Sequence, residues 1–520
     1  MKKSLFSLAA SILMCFTFYQ CSTEHFDMVI KNGAIYDGSG EAPVFADLGI
    51  KDGMITKIDK KISAGESPVI DAAGFIVAPG FIDIHTHCDG ELAKEGMNPV
   101  RNYLTQGVTT VVTGNCGSGT YEVEDFFKKL DSIGTGTNVV HLVGHNTLRR
   151  KVMGMEDRKA TPEELEAMKK MLRQGMEEGA AGFSTGLWYT PGAYSPTEEV
   201  VELAKVAKKY NGFYATHIRD ESDYSVGLEE AIKEAVTIGE QTGIRVEISH
   251  IKAGAPVWGN SDKICAIIEG AKKRGLNIMA DQYPYNASST NLAAVLLPAW
   301  IQSGGNMEAR LNDQELLPQI KEEIEINFER AGGPEGLVIA SFKGDRSLEG
   351  KNFAEISREI NKPLAETAIW LILKGNPSIV SFNMKESDVI NFMKKDYVMT
   401  CSDGHIFIPG ASKPHPRNYG TFTRKIRKYV IDDQVISMEH AIRAATSLPA
   451  NMTGLKNRGY LKEGLKADIV VFNPQTIRDK ATFADPHQYS EGIEYLLVNG
   501  IAVIENGKYN GKLAGEHIRM

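Results

Sequence analysis

Phe81-Ile82-Asp83-Ile84-His85-Thr86-His87 reads as a short covered strand that ends on two imidazoles. Ala78-Pro79-Gly80 halts the segment before it, and Phe81, Ile82 and Ile84 supply the apolar character of a buried strand. His85 and His87 are two positions apart, so extended backbone sends both side chains to one face. Neutral imidazole nitrogens side by side at a strand end suit a divalent cation. An isolated His-x-His also occurs as a pair of core histidines. The two readings separate on whether further ligand-type residues recur at strand ends.

Working outward, the chain alternates strand and helix. Thr161-Pro162-Glu163-Glu164 combines an N-cap, a proline at the first helical position and a capping-box glutamate, and Gly179 closes that helix. Ser195-Pro196-Thr197-Glu198 is read as the same device, with Gly212 at the far end. Phe213–His217 then reads as a strand, a helix runs up to Gly243, and Arg245–His250 reads as the next strand. Strand candidates end near His87, Cys116, His145, Gly186, His217, His250, Asp281 and Asp403. Eight such units predict an α/β fold, a (β/α)8 TIM-type barrel over residues 78–454, with its chemistry at the C-terminal strand ends. The gap from Asp281 to Asp403 is far too long for one helix and loop, so residues from about 290 to 375 are expected as an insertion over the mouth.

Residues 24–77 and 455–520 differ in character. Short alternating runs such as Met28-Val29-Ile30 and Phe45–Ile50 are split by the hairpin pairs Asn32-Gly33 and Asp52-Gly53. Ala467–Phe472 and Tyr495–Ile501 repeat the pattern, so both ends are expected to build one small β-sandwich domain. The first 21 residues are different again. Met1-Lys2-Lys3 is basic and Leu5 to Phe18 is apolar, too short to span a bilayer comfortably, so the segment reads as an export signal. Its end, Phe18-Tyr19-Gln20-Cys21, resembles a bacterial lipoprotein signal, with Cys21 lipidated after cleavage; plain cleavage nearby is the alternative. The expected location is the periplasm or cell envelope, with the membrane touched only through that lipid anchor.

Net charge is −8 with no basic run, which gives nucleic acid no support as a partner. Past the signal, Cys88, Cys116, Cys265 and Cys401 lack the spacing of a disulfide framework. No feature sets an oligomeric state. The polar strand ends do converge: His85 and His87 close strand 1, Cys116 strand 2, His217 strand 5, His250 strand 6 and Asp403 strand 8. In a barrel these face one mouth, which a set of unrelated structural histidines does not explain.

The chain resembles the amidohydrolase superfamily, and within it the N-acyl-D-amino-acid deacylases (D-aminoacylases). The resemblance is carried by Pro79–His87, Gly107–Gly117, Gly182–Leu187, Thr216–Glu221, Ser249–Lys252, Ser402-Asp403-Gly404 and His415–Phe422. The Gly-Asn-Cys-Gly segment and the surroundings of Arg417 narrow it to the deacylase branch. The resemblance implies a zinc-dependent enzyme that hydrolyses N-acyl-D-amino acids, its small-molecule substrates, to a carboxylate and a free D-amino acid. It implies that Cys116, His217 and His250 hold a tight Zn2+, with His85 and His87 forming a second, weaker site that Cys116 bridges. A thiolate and two imidazoles leave one tetrahedral position open, as a catalytic zinc requires. Strand 4, Ala181 to Leu187, has no lysine to bridge two metals, in keeping with that role for Cys116. By the same resemblance Asp403 is the general base, and Lys252, Tyr283 and Arg417 hold the substrate carboxylate, with Ser289 and Tyr189 as weaker candidates. Cys88 reads as a packing residue. Two other readings compete: a dipeptidase or hydantoinase-like cyclic-amide hydrolase on the same barrel, and a non-catalytic cell-surface binding lipoprotein. Four intact residues, Cys116, His217, His250 and Asp403, speak against the last, because a binding module has no need of all of them.

Overall fold

A computed structural model describes residues 25–410 and 412–520. The export segment and the candidate lipidation residue Cys21 lie outside the described residues. Eight parallel strands form the barrel: Phe81–Asp83, Val108–Thr113, Asn138–Gly144, Gly182–Gly186, Phe213–His217, Arg245–Ile248, Ile278–Gln282 and Val398–Thr400, here strands 1 to 8. Every residue of strands 2 to 5 is buried, which is why they read as near-continuous apolar and small-residue runs.

Strand 1 stops at Asp83, so His85 and His87 sit just past its end rather than on it. The ring closes there. The Asp403 N–H donates to the His85 carbonyl (2.9 Å) and the His87 N–H to the Gly404 carbonyl (2.8 Å). Below them the buried Asp83 carboxylate accepts the Ser402 N–H at 2.9 Å. Closure therefore brings Asp403 beside the histidine pair.

The helix Pro162–Glu177 starts with the expected capping box between Thr161 and Glu164. The second expected cap is different. Helix Thr197–Lys209 begins after Pro196 with no side-chain cap, because Ser195 turns its hydroxyl back onto the Gly192 carbonyl at 2.7 Å. Gly243 ends helix Leu228–Thr242 in the left-handed conformation, φ +64°, that favours glycine.

Between strands 7 and 8 the chain builds a separate layer. Strand Ser378–Ser381 pairs antiparallel with both Ser288–Asn291 and Leu337–Ser341. Helices between them share a core of their own that includes Leu292, Ile320, Ile324, Phe328 and Ile379. The two chain ends meet in one nine-stranded mixed sheet. Strand Ile469–Phe472 from the C-terminal end pairs with Ile76–Pro79 from the N-terminal end. Its side chains alternate as a doubly covered strand must: Ile469 and Val471 join the small domain's core, while Val470 and Phe472 join the barrel's. Among the described residues no helix is long and apolar enough to cross a membrane.

Candidate active site and metal centre

The strand-end loops converge on the thiol of Cys116. Its Sγ lies 3.4 Å from His85 Nε2, 3.7 Å from His217 Nδ1 and 3.6 Å from His250 Nε2. His85 Nε2 and His87 Nε2 are 3.4 Å apart, and Asp403 Oδ1 is 3.1 Å from His87 Nε2. Cys116, His250 and Asp403 all hold left-handed backbone, with φ of 50°, 38° and 50°. That conformation costs an L-residue about 1–3 kcal/mol and persists only where the surroundings impose it. At Cys116 the imposing group is Ser184 on strand 4, whose hydroxyl accepts from the Gly117 N–H (2.9 Å) and donates to the Gly114 carbonyl (2.6 Å). Gly117 is required here: a Cβ would stand 2.2 Å from Asn146 Oδ1.

The donor set fits a tetrahedral zinc. Metal–sulfur and metal–nitrogen bonds of about 2.3 and 2.0 Å put a thiolate sulfur about 3.5 Å from each imidazole nitrogen, close to the separations found around Cys116. Burial pushes His217 and His250 well below the ordinary imidazole range, which keeps them neutral and able to ligate. Burial also pushes the Cys116 thiol well up, so a thiolate there needs a cation beside it. A metal supplies that cation.

Asp403 is pulled two ways. Burial raises its pKa, but the Arg417 guanidinium, with NH1 2.7 Å from Oδ2, outweighs it together with His250 and holds the carboxyl well below its usual range. Arg417 is itself buried, its guanidinium carbon 4.7 Å from the centre of the Tyr283 ring. Lys252 donates to Glu221 Oε1 at 2.5 Å and stands 2.7 Å from His250 Nδ1. Ser289 spends its hydroxyl on the Ile379 carbonyl and meets Arg417 through its own carbonyl at 3.4 Å. Tyr189 sets its ring edge-on to His217, centroids 4.8 Å apart, with its hydroxyl 3.1 Å from Thr290 Oγ1. Of the expected metal, catalytic and carboxylate-holding residues, all except the buried His85 line one cavity of about 470 Å³ at the barrel mouth. Cys88 points elsewhere: it packs in the main core with its Sγ 3.2 Å from Thr86 Oγ1.

Two carboxylates that the sequence reading left without a role belong to the site. Glu221 is 3.0 Å from His250 Nδ1 and 3.8 Å from His217 Nε2. Asp281 is 3.6 Å from His85 Nδ1 and accepts the His250 N–H at 2.6 Å. Carboxylates behind ligating imidazoles set which ring nitrogen carries the proton. Glu221 lies four residues past His217, within a segment already singled out, but only the loop conformation after strand 5 turns it inward. His405 also stacks on His87, centroids 5.4 Å apart.

A parallel barrel that presents a thiol, imidazoles and a carboxylate at one mouth has the architecture of a metal-dependent hydrolase. This chain belongs to the amidohydrolase family, whose model matches residues 68–281 and 394–504. The unmatched stretch between holds the added layer. The D-aminoacylase of Alcaligenes xylosoxydans xylosoxydans is 34% identical over 521 residues, covering 95% of this chain and 98% of that protein. The same organism's N-acyl-D-glutamate deacylase is 33% identical over 504 residues, covering 92% and 94%. The solved N-acyl-D-glutamate deacylase of Bordetella bronchiseptica, complexed with zinc and a phosphonate mimic of the tetrahedral intermediate, matches with TM-score 0.81 at 32% identity, covering 96% of this chain and all of that one. A solved D-aminoacylase, which has a binuclear metal centre, matches with TM-score 0.81 at 31% identity over 95% of this chain and 100% of its own. The protein is a metal-dependent amidohydrolase of the branch that acts on linear amides.

Proposed function

We propose that the protein hydrolyses the amide bond of N-acyl-D-amino acids, with zinc, releasing a carboxylate and a free D-amino acid. The observation that carries this reading is the convergence of Cys116, four imidazoles and the Asp403–Arg417 pair at one barrel mouth. It is supported by near-full-length relatives that are deacylases of D-amino acids. Cys116, His217 and His250 would hold the tight zinc, and His85 and His87, together with Cys116, would hold a second one beside Asp403. Zinc, when bound, acts as a Lewis acid on the amide carbonyl and lowers the pKa of the attacking water.

The chain's own groups handle the protons and the substrate. Asp403 accepts a proton from the water as it attacks the amide carbon, then delivers it to the leaving nitrogen. Arg417 grips the substrate carboxylate with its planar fork, against Tyr283, and Lys252 adds a second positive charge. With the carboxylate and the carbonyl both fixed, two substituents of the α-carbon are placed, and the side chain fits on one side only. The test is metal analysis of the purified protein alongside amino-acid release from matched N-acetyl-D and N-acetyl-L panels. Bound zinc with release confined to the D panel is the expected result. Equal rates on both hands would overturn the fixed-carboxylate picture, and faster opening of hydantoins would move the assignment to cyclic amides. Export through residues 1–21 and anchoring by Cys21 complete the proposal, resting on the N-terminal sequence.

A further inference from the structure

A second cavity of about 320 Å³ adjoins the catalytic one. Trp188, Tyr189, Tyr224, Asn291 and Val295 line both, so the two chambers meet at a common wall that is largely aromatic. The far wall comes from the added layer, through Ala294, Leu297 and Pro298. None of the carboxylate-holding candidates Arg417, Lys252 and Tyr283 borders this chamber, nor does Asp403.

The charged groups on its walls, and the Thr190–Gln302 pair, are already engaged. Arg219 is forked onto Glu234, with its shorter contact at 2.7 Å, and Arg330 pairs with Asp223 at 3.3 Å. Glu323 accepts the Trp300 indole N–H at 3.3 Å, and the Thr190 hydroxyl donates to Gln302 at 3.0 Å. With those groups spent, much of the surface left for a ligand is aliphatic and aromatic. The chamber therefore suits a neutral apolar chain, because both guanidiniums on its wall are already paired with carboxylates.

We infer that the chamber beyond Tyr189 receives the acyl chain of the substrate, and that the enzyme acts on amino acids carrying medium-length fatty acyl groups. The inference rests on the deacylase reading above. The acyl chain leaves the carbonyl carbon, which is held at the metal ligands, and Tyr189 packs against one of those, His217. The amino-acid half is anchored by its carboxylate at Arg417, outside the chamber. The acyl end is thus the part of the molecule with open space ahead of it.

The test uses the full zinc-loaded protein and N-acetyl, N-butyryl and N-octanoyl derivatives of whichever D-amino acid is released fastest. Wild-type kcat/KM should rise along the series. Ala294→Phe puts a ring into the chamber from a half-buried position on its far wall. It should lower the octanoyl-to-acetyl ratio of kcat/KM by at least about tenfold, the order that a few lost methylene contacts produce. Zinc content and thermal melting report folding of the variant, and the wild-type series stands as evidence without it. A series flat or falling with chain length overturns the inference. So does an Ala294→Phe enzyme that changes selectivity among amino-acid side chains and leaves the acyl ratio alone. Failure to hydrolyse any member of the series overturns the deacylase reading, and the acyl site falls with it.

Discussion

Asp403 is the residue whose surroundings say most about its work. Arg417 keeps it ionised, and His87 and His85 approach the same carboxylate at 3.1 and 3.7 Å. Asp403→Asn preserves size and hydrogen bonding but cannot take a proton. Zinc should remain bound, and kcat should fall by about two to four orders of magnitude with little change in KM. A variant with full zinc and near-normal kcat would show the aspartate to be structural. The ligands separate by the same logic. Cys116 touches three imidazoles, so Cys116→Ala should lose zinc and activity together. His85 sits at the edge shared with His87, so His85→Ala should lower activity while keeping more of the tight zinc. Elemental analysis of the two purified variants decides this, and full zinc in Cys116→Ala would remove the thiol from the ligand set.

The strand–loop unit is the next scale up. Strand 8 ends one residue before Cys401, and the chain returns through helix Arg417–Arg424, which continues as a π-helix, Lys425–Asp432. Lys425 is buried and donates to Thr400 Oγ1 on strand 8 at 2.8 Å, so it ties the element carrying Arg417 to the strand that leads into Asp403. Burial pushes its ammonium down to about 8. The unfolded chain keeps a lysine near about 10.4, so between those values the unfolded state binds more protons. Stability therefore rises with pH through that window. Lys425→Met removes the titration, and its melting temperature should lose ground to wild type as pH rises from about 8 to 10. Parallel pH profiles for the two proteins would mean that the amine is hydrated and its burial unimportant.

At the scale of the whole molecule, a barrel stands between a small domain made from both chain ends and a layer inserted before strand 8. That layer supplies wall to both cavities, through Asn291 and Val295. The proposed anchor belongs to this scale as well. Cys21→Ser should shift the protein from the membrane fraction to the soluble one, read by fractionation and blotting, and no shift would favour ordinary secretion. The barrel was legible in advance because eight buried parallel strands must be apolar runs separated by helix caps and glycines, a signal local to each unit. The capping box at Thr161 and the ligand-type residues at His85, Cys116, His217 and Asp403 are of that kind. The false cap at Ser195 shows the limit: its motif is intact, but a local turn captures the hydroxyl. Glu221 and Asp281 went without a role because a carboxylate in a loop or strand has no sequence mark of facing a ligand. What the sequence by itself determined is the set of repeating units and the chemistry at their ends, since period and side-chain type act over a few residues. Only the tertiary structure decided which ends touch. Closure of strand 8 onto strand 1 brings residues more than three hundred positions apart within hydrogen-bonding range, and no local pattern encodes the ring that closes them.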